Sequence, residues 1–191
     1  DPEMSRGLGD VYKRQLIDRF NHGELMHADS IHFPDSLKYQ TKKLARTVYG
    51  GGGIMPDFFV PIDTTQYTDY HRNIVAKGVV IKTTMKFIES HRKELQSKYK
   101  KFETFNDKFE ISDEILANMQ TLAEQEKIKF DEKQYRKSLP LIKTQLKALI
   151  ARDLWDMNEY FQIMNTTDSS VLQALKVLNE GAYEKVVMKK W

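Results

Sequence analysis

The 191-residue chain contains no cysteine, only five prolines and only nine glycines. The lack of cysteine excludes disulfide bonds and metal sites built on thiolates. No apolar run approaches the roughly 18 residues that cross a bilayer, so no transmembrane segment is expected. Four of the nine glycines stand together at 50–53, and glycine nearly vanishes after Thr65. The composition therefore divides the chain into two parts.

A strong excess of one charge is also lacking, since 30 basic residues face 27 acidic ones and the formal charge is +3. Hydrophobic residues make up 40% and charged residues 30%, as in an ordinary globular protein. The exception is 82–101, which holds seven Lys/Arg and two Glu. An exposed helix face is the simpler interpretation, with no nucleic acid as partner. The alternative is a docking surface for nucleic acid or another acidic partner.

Three segments are predicted. Residues 1–15 show no apolar periodicity, and the string GDVYKRQ within them resembles translated sequencing-adapter text, so we interpret them as a non-native leader. Residues 16–65 are β-rich and interrupted by turn formers, whereas 66–191 follow helical spacing to the end. The predicted fold class is mainly α, with a small β-rich N-terminal piece followed by a helical bundle.

The β-rich piece contains four recognisable signals. A helical turn near Ile17 should stop at Gly23. Residues 27–36 carry turn formers and predict a loop. The segments 37–41 and 46–49 flank a short polar link and predict a hairpin. The apolar run Phe58-Phe59-Val60, bounded by Pro56 and Pro61, predicts a buried or edge strand.

Apolar residues at helical spacing predict the buried faces of the bundle. These stripes are Tyr67, Tyr70 and Ile74; Ile81, Met85, Ile88 and Leu95; Phe102, Phe105 and Phe109; Ile115 to Ala123; Ile142 to Met164; and Val171, Leu172, Leu175 and Leu178. Gly78 should end the first helix, and Ser112 and Asp131 should begin later ones, the latter as a capping box with Gln134. Pro140 should either kink the following helix or lie in its first turn.

Candidate catalytic and metal-binding groups are few. His22, His27 and His32 recur every five residues in a predicted loop, a spacing that carries little metal information. His71 and His91 are expected at the surface. No serine stands in a Gly-x-Ser-x-Gly turn, and Ser112 and Ser138 are better explained as helix caps. We therefore assign no catalytic residue, no metal site and no cofactor.

Two further clusters have simple structural explanations. The run Gly50 to Gly53 lacks the Gly-Lys-Ser/Thr ending of a phosphate-binding loop, because Ile54 and Met55 follow it. It predicts backbone that needs a positive φ or a close approach to another strand. Arg152 and Asp156 lie four residues apart, and with Asp153 they predict an intrahelical ion pair rather than a carboxylate pair for acid–base catalysis.

The segment 46–61, RTVYGGGGIMPDFFVP, resembles the end of the protease core in C-terminal-processing (tail-specific) serine peptidases. In that family a Gly-Gly-Ile-x-Pro-Asp-x-x-Val stretch forms a late strand of the catalytic domain. Here its structural motif is formed by Gly50, Gly51, Gly52, Gly53, Ile54, Pro56 and Asp57. The strings at 20–24 and 29–39 resemble an insertion in Bacteroidetes-like members, and 146–155 resembles their helical C-terminal extension. The resemblance covers about 16–180.

The resemblance implies an envelope serine endopeptidase whose PDZ domain captures substrate C-termini. Its serine is activated by a lysine in a Gly-Lys-Gly-x-x-Gln context, and both lie upstream of the glycine motif. The string around Lys77 mimics this context, but it follows the motif, and Ala76 and Ile81 replace the glycine and glutamine. Catalysis is therefore not assigned to Lys77.

The chain is accordingly expected to be a C-terminal fragment without catalytic residues, located in the periplasm or cell envelope. Its expected partners are the missing upstream protease core and PDZ domain, the protein substrates of the parent enzyme and, as a further option, a second copy in a homo-oligomer. Two alternatives stay open. One is a non-enzymatic helical module for protein interaction, and the other is a weak, basic, nucleic-acid-binding bundle whose affinity would fall steeply with salt.

Overall fold

The computed structural model describes residues 17–31, 35–42, 45, 47–50 and 56–184. The chain divides into two compact units, the first formed by Asp1–Ile62 with Gln173–Trp191 and the second by Asp63–Leu172. The described part is mainly helical, with one two-stranded antiparallel sheet on the N-terminal side. The predicted fold class is therefore confirmed. The predicted leader at 1–15 and the motif residues Gly51, Gly52, Gly53 and Ile54 lie outside the described residues.

The sheet of the first unit is the predicted hairpin. Strand β1 (Lys38–Gln40) pairs antiparallel with strand β2 (Thr47–Tyr49), and Tyr39 lies opposite Val48. Gly50 follows β2, and its N–H donates to the Leu37 carbonyl at 2.8 Å. A Cβ at Gly50 would stand 2.8 Å from the Tyr39 ring, so a larger residue would force this exposed ring to shift.

The region before the hairpin also follows the sequence signals in part. A short helical segment over 17–21 is followed by a turn in which Gly23 has a φ of +76°. The predicted loop over 27–36 contains two short 3₁₀ helices, Ala28–Ser30 and Asp35–Leu37.

The strand predicted around Phe58–Val60 is wrong, because 56–62 form no ladder with β1 or β2. The Ile62 N–H makes one backbone hydrogen bond, to the Leu25 carbonyl at 3.1 Å. Pro56 and Pro61 each remove a ladder donor, and a strand needs a neighbouring strand as well as apolar side chains. The run is instead half-buried, irregular chain.

The second unit is a helical bundle. Its helices are α1 (Asp69–Ala76), α2 (Val79–Lys98), α3 (Phe102–Lys108), α4 (Asp113–Gln125), α5 (Glu132–Leu154) and α6 (Met157–Met164). The long helix α5 packs against α1, α2 and α6, and α2 packs in turn against α1 and α4. A further helix, α7 (Ser169–Asn179), begins in the second unit and ends in the first.

The predicted helix ends are confirmed where the signal is local. The Ser112 hydroxyl accepts the Ile115 N–H, and the Asp131 carboxylate accepts the Gln134 N–H at 2.9 Å. Gly78 follows α1 with a φ of +69° and also begins α2, so one left-handed residue joins the two helices. Two other N-caps, Thr68 and Asp156, were not predicted.

The core of the second unit is built around the predicted phenylalanine triplet. Phe105 is fully buried, stacks on Phe109 with ring centroids 4.6 Å apart, and meets the edge of Tyr99 at 5.4 Å. Aromatic pairs of this geometry add about 1 kcal/mol to the gain from area burial. The other fully buried large side chains of the unit are Ile74, Val79, Thr83, Met119, Ser138, Ile142, Leu146 and Ile150.

The predicted stripe on α2 is only partly correct. Ile88 and Leu95 are buried, but Ile81 is 45% and Met85 is 65% exposed. Thr83 and Thr84 occupy the buried face instead. Their hydroxyls donate to the carbonyls four residues earlier at 2.8 and 3.0 Å, which satisfies them inside the helix. The two buried hydroxyls therefore need no hydrogen-bond partner from another helix.

The C-terminal stripes also differ from the prediction. Pro140 lies inside α5, and the apolar run from Ile142 to Met164 is divided between α5 and α6 at Trp155 and Asp156. In α7 the buried residue is Val177, whereas the predicted core residues Leu172, Leu175 and Leu178 are exposed. Periodicity identifies one apolar face of a helix, but not whether that face has a covering partner.

Replacing the central Phe105 ring should lower the free energy of unfolding far more than replacing a ring at the periphery. We expect Phe105→Ala to lower the free energy of unfolding by about 3–5 kcal/mol, because the residue is fully buried. The matched control, Phe161→Ala, removes a ring that is 52% exposed and should cost less than about 1 kcal/mol. Urea denaturation followed by circular dichroism measures both. Equal losses would contradict this description of the core.

Candidate functional site

A buried polar cluster joins the start of α1 to α5. The Ser138 hydroxyl, which is fully buried, donates to the Gln66 carbonyl at 2.6 Å and lies 2.8 Å from the Thr68 hydroxyl. Thr68 in turn accepts the His71 N–H at 3.3 Å as the N-cap of α1. Since a hydroxyl has one proton, Thr68 donates to Ser138 and Ser138 donates to Gln66. The hydroxyls form a directed chain that ends on a backbone carbonyl.

Gln134 connects the same two helices. Its side-chain oxygen accepts the Tyr70 N–H at 2.8 Å, and its side-chain nitrogen donates to the Asp131 carboxylate at 3.1 Å. The predicted capping box is thus modified, because Gln134 satisfies a first-turn N–H of α1 as well as contacting Asp131. With Thr68 it supplies acceptors for two N–H groups that the first turn of α1 leaves unpaired.

His71 is buried, 3% exposed, and the prediction of a surface position is wrong. Its Nε2 lies 2.9 Å from the Gln145 side-chain oxygen, and the Tyr67 ring meets it edge-on at 5.6 Å. Gln145 can only accept through that oxygen, so Nε2 carries the proton. Nδ1 is buried with no hydrogen-bond partner among the described residues. The packing of α1 on α5, which a lone histidine in the sequence does not reveal, accounts for this burial.

Ser138 was predicted as a helix cap, and it is not one. It lies in the middle of α5, whose N-cap is Asp131. Its hydroxyl supports the cap of a different helix by fixing Thr68. With the hydroxyl fully buried and its proton donated to Gln66, Ser138 is placed to hold helices together rather than to attack a substrate.

Tyr70 lies beside this cluster with a buried hydroxyl that has no hydrogen-bond partner among the described residues. The Phe130 and Tyr135 rings meet its ring edge-on, at centroid distances of 5.6 and 6.0 Å. Burial, helped by the nearby Tyr135 and Glu124, raises the pKa of Tyr70 to about 12. The group therefore stays protonated, and it is placed for packing rather than for proton transfer at neutral pH.

The predicted ion pair between Arg152 and Asp156 is wrong, because α5 ends at Leu154. Asp156 instead caps α6 and accepts the Met157 N–H at 2.6 Å. Asp153 pairs with Arg92 on α2, which ties α2 to the end of α5. The seven basic residues in 82–101 are all exposed, and Lys82 pairs with Glu126 at 2.6 Å.

A groove of about 400 Å³ lies among α3, the segment after it, α5 and α6. Its lining includes the apolar residues Phe109, Ile111 and Ile163 together with Lys143 and Lys147. The half-buried Lys147 ammonium donates to the Asn106 carbonyl at 2.6 Å and lies 6.0 Å from the centre of the Phe105 ring. We name this the lysine groove; its two lysines were not singled out by the sequence.

Burial lowers the pKa of Lys147, and the carboxylates of Glu110 and Asp107 oppose this effect. Across the described ranges, no group of three histidine, aspartate or glutamate side chains is arranged to hold a metal ion. His32, one of the three loop histidines, lies outside those ranges. A span long and apolar enough to cross a membrane is likewise not found among the helices described.

Residues 70–156 match the model of a family of unknown function (DUF8443). Comparison with curated proteins and with solved structures gave no match. The matched range begins in α1 and ends at Asp156, so it contains Ser138 and Gln134 of the buried polar cluster, the phenylalanine triplet and all of α5, but not Gln66 or Thr68. The similarity therefore covers most of the bundle and carries no activity with it.

Removing the Tyr70 hydroxyl should change stability mainly in alkali. Tyr70→Phe should leave the free energy of unfolding within about 1 kcal/mol at neutral pH, since the lost hydroxyl has no described partner. Because the folded pKa is about 12 and the ordinary value 10.0, the unfolded chain releases this proton first as pH rises. The parent should thus lose up to about 1.4 kcal/mol per pH unit above pH 10 from this group, and the variant should not.

Urea denaturation at neutral pH and above pH 10 measures the difference. Tyr135 and Lys147 also have shifted pKa values, but both are present in parent and variant and cancel in the comparison. Tyr183→Phe, at an exposed tyrosine, is the control and should retain the alkaline loss of the parent. An alkaline loss in Tyr70→Phe as steep as that of the parent would show that Tyr70 titrates freely in the folded chain.

Proposed function

We propose that this chain is the C-terminal part of a tail-specific serine endopeptidase and that its second unit is a non-catalytic helical module. The carrying observation is the use of the buried polar side chains. The side chains of Ser138, Thr68 and Gln134 form hydrogen bonds that join the start of α1 to α5. A catalytic hydroxyl has to face a substrate and a base. These three polar side chains therefore have a structural role in the bundle.

The position of the module in the chain supports the proposal. The peptidase-like segment ends at Pro61, and the second unit begins at Asp63. Gly50, the described glycine of that motif, follows β2 and lies close to the Tyr39 ring. Such an approach is expected of a glycine at the end of a strand. A helical module added directly after the last part of a protease core gives this arrangement.

Such a module acts by binding, and its grooves and exposed helix faces are the surfaces available for that. The lysine groove and a second groove lined by Met85, Arg92 and Asp153 both lie on the bundle. Nucleic-acid binding is the weaker alternative, although all seven basic residues in 82–101 are exposed. Lys82 and Arg92 are neutralised by Glu126 and Asp153, which reduces the charge available to phosphates.

The purified chain should not hydrolyse protein. We expect no turnover of casein and no covalent labelling by a fluorophosphonate probe, because the buried Ser138 cannot reach a substrate and Ser112 is used as a cap. An active serine peptidase assayed in parallel is the positive control. Turnover together with labelling of a serine in this chain would overturn the assignment of the module as non-catalytic.

The gene offers an independent test of the peptidase assignment. The reading frame upstream of Leu16 should encode a PDZ domain and a serine and lysine in the family context. Sequencing of the native locus decides this. A frame that continues upstream into an unrelated domain would refute the peptidase assignment and leave the helical interaction module as the better description.

A further inference from the structure

The lysine groove places apolar side chains beside an ammonium that forms no ion pair within the described part of the chain. Phe109, Ile111 and Ile163 are all buried in the core yet contribute to the lining. The volume of about 400 Å³ falls in the lower part of the range for small-molecule sites. The groove therefore suits a small ligand with an apolar body.

Lys147 is the polar feature that such a ligand would meet. Its ammonium has three N–H groups, and the one described acceptor is the Asn106 carbonyl. Lys147 takes part in none of the ion pairs found among the described residues. Desolvation of an ammonium without a paired anion is unfavourable, which the lowered pKa of Lys147 also reflects. An added anion would relieve this cost.

The other polar groups of the groove direct an anion to the lysines. Thr144 and Thr166 donate their hydroxyl protons to the Pro140 and Ile163 carbonyls at 3.0 and 2.7 Å. They are therefore not available as donors in this conformation. Lys143 lies one helical turn before Lys147 on α5 and lines the same groove. Two ammonium groups thus remain to bind a negative group.

The surrounding charges also limit the charge of the ligand. Glu110 also lines the groove, and the carboxylates of Glu110 and Asp107 oppose the lowering of the Lys147 pKa. The positive charge of the two lysines is therefore partly offset. With little excess positive charge to compensate it, the desolvation of a dianion is more unfavourable than that of a monoanion. A monoanion fits this balance best.

We propose that the lysine groove binds a small apolar monocarboxylate. The carboxylate contacts Lys147 and Lys143, and the hydrocarbon body covers Phe109, Ile111 and Ile163. This inference goes beyond the peptidase assignment and does not depend on it, because it concerns contacts within the bundle alone. It adds a ligand site to a module whose buried polar groups are otherwise structural.

Octanoate is the probe, titrated into the full chain and followed by amide NMR shifts. We expect saturable shifts at 106–111, 143–147 and 163–166. Octanamide has the same length and no charge, and it should bind at least about tenfold more weakly, the effect of losing one charge-assisted hydrogen bond. Equal affinity for the two probes, no octanoate binding, or saturable shifts confined to other regions would overturn the proposal.

Single-residue variants test which lysine contacts the carboxylate of octanoate. Lys147→Met keeps nearly the length of the side chain, removes the charge, and should weaken octanoate binding about tenfold or more. Lys143→Met should have a smaller effect. Lys133→Met, at an exposed lysine on the same helix, is the control and should leave affinity unchanged. Unchanged affinity in Lys147→Met, or an equal loss in Lys133→Met, would refute the assignment; the octanamide comparison needs no variant to fold.

Discussion

The second unit depends on the burial of one helix, α5, which packs against three others. Between Leu141 and Ala151 this helix has buried residues on nearly every side, which is the pattern of a core helix and not of a surface one. Ala148 and Ala151 are among them, and their small side chains let neighbouring helices approach closely. Helices α1, α2 and α6 take their positions from contacts with α5. Helix α2 in turn packs against α1 and α4.

Apolar packing alone would leave the position of α1 on α5 weakly determined, because α1 is only two turns long. The hydrogen bonds of Ser138 and Gln134 fix where its first turn lies, and His71 bonds Gln145 two turns further along α5. A buried polar network of this kind stabilises one arrangement, because any shift leaves donors and acceptors unpaired. Two buried atoms beside the network, Tyr70 Oη and His71 Nδ1, have no hydrogen-bond partner among the residues that the structure describes.

The sequence predicted what depends on neighbours along the chain. The phenylalanine triplet, the caps at Ser112 and Asp131 and the left-handed Gly78 all follow from short-range chemistry, and all are confirmed. It did not predict what depends on neighbours in space. The exposure of Met85, the burial of His71 and the uncovered leucines of α7 each depend on which helix lies opposite. The lysine groove was not predicted for the same reason. The spacing of Lys143 and Lys147 indicates a shared helix face, but the groove forms only because other elements pack around that face.

The position of the Lys147 ammonium distinguishes a purely structural role for this lysine from a role in ligand binding. A buried alkyl chain with its ammonium in water would stabilise the bundle, as lysine side chains commonly do. Here the ammonium donates to the backbone carbonyl of Asn106. Its pKa is lowered because it loses water without gaining a paired anion. An apolar side chain would fill the same space without the unfavourable desolvation of a charge. An ammonium in this position would gain from an added anion, and among the described grooves this one places such a group beside apolar side chains.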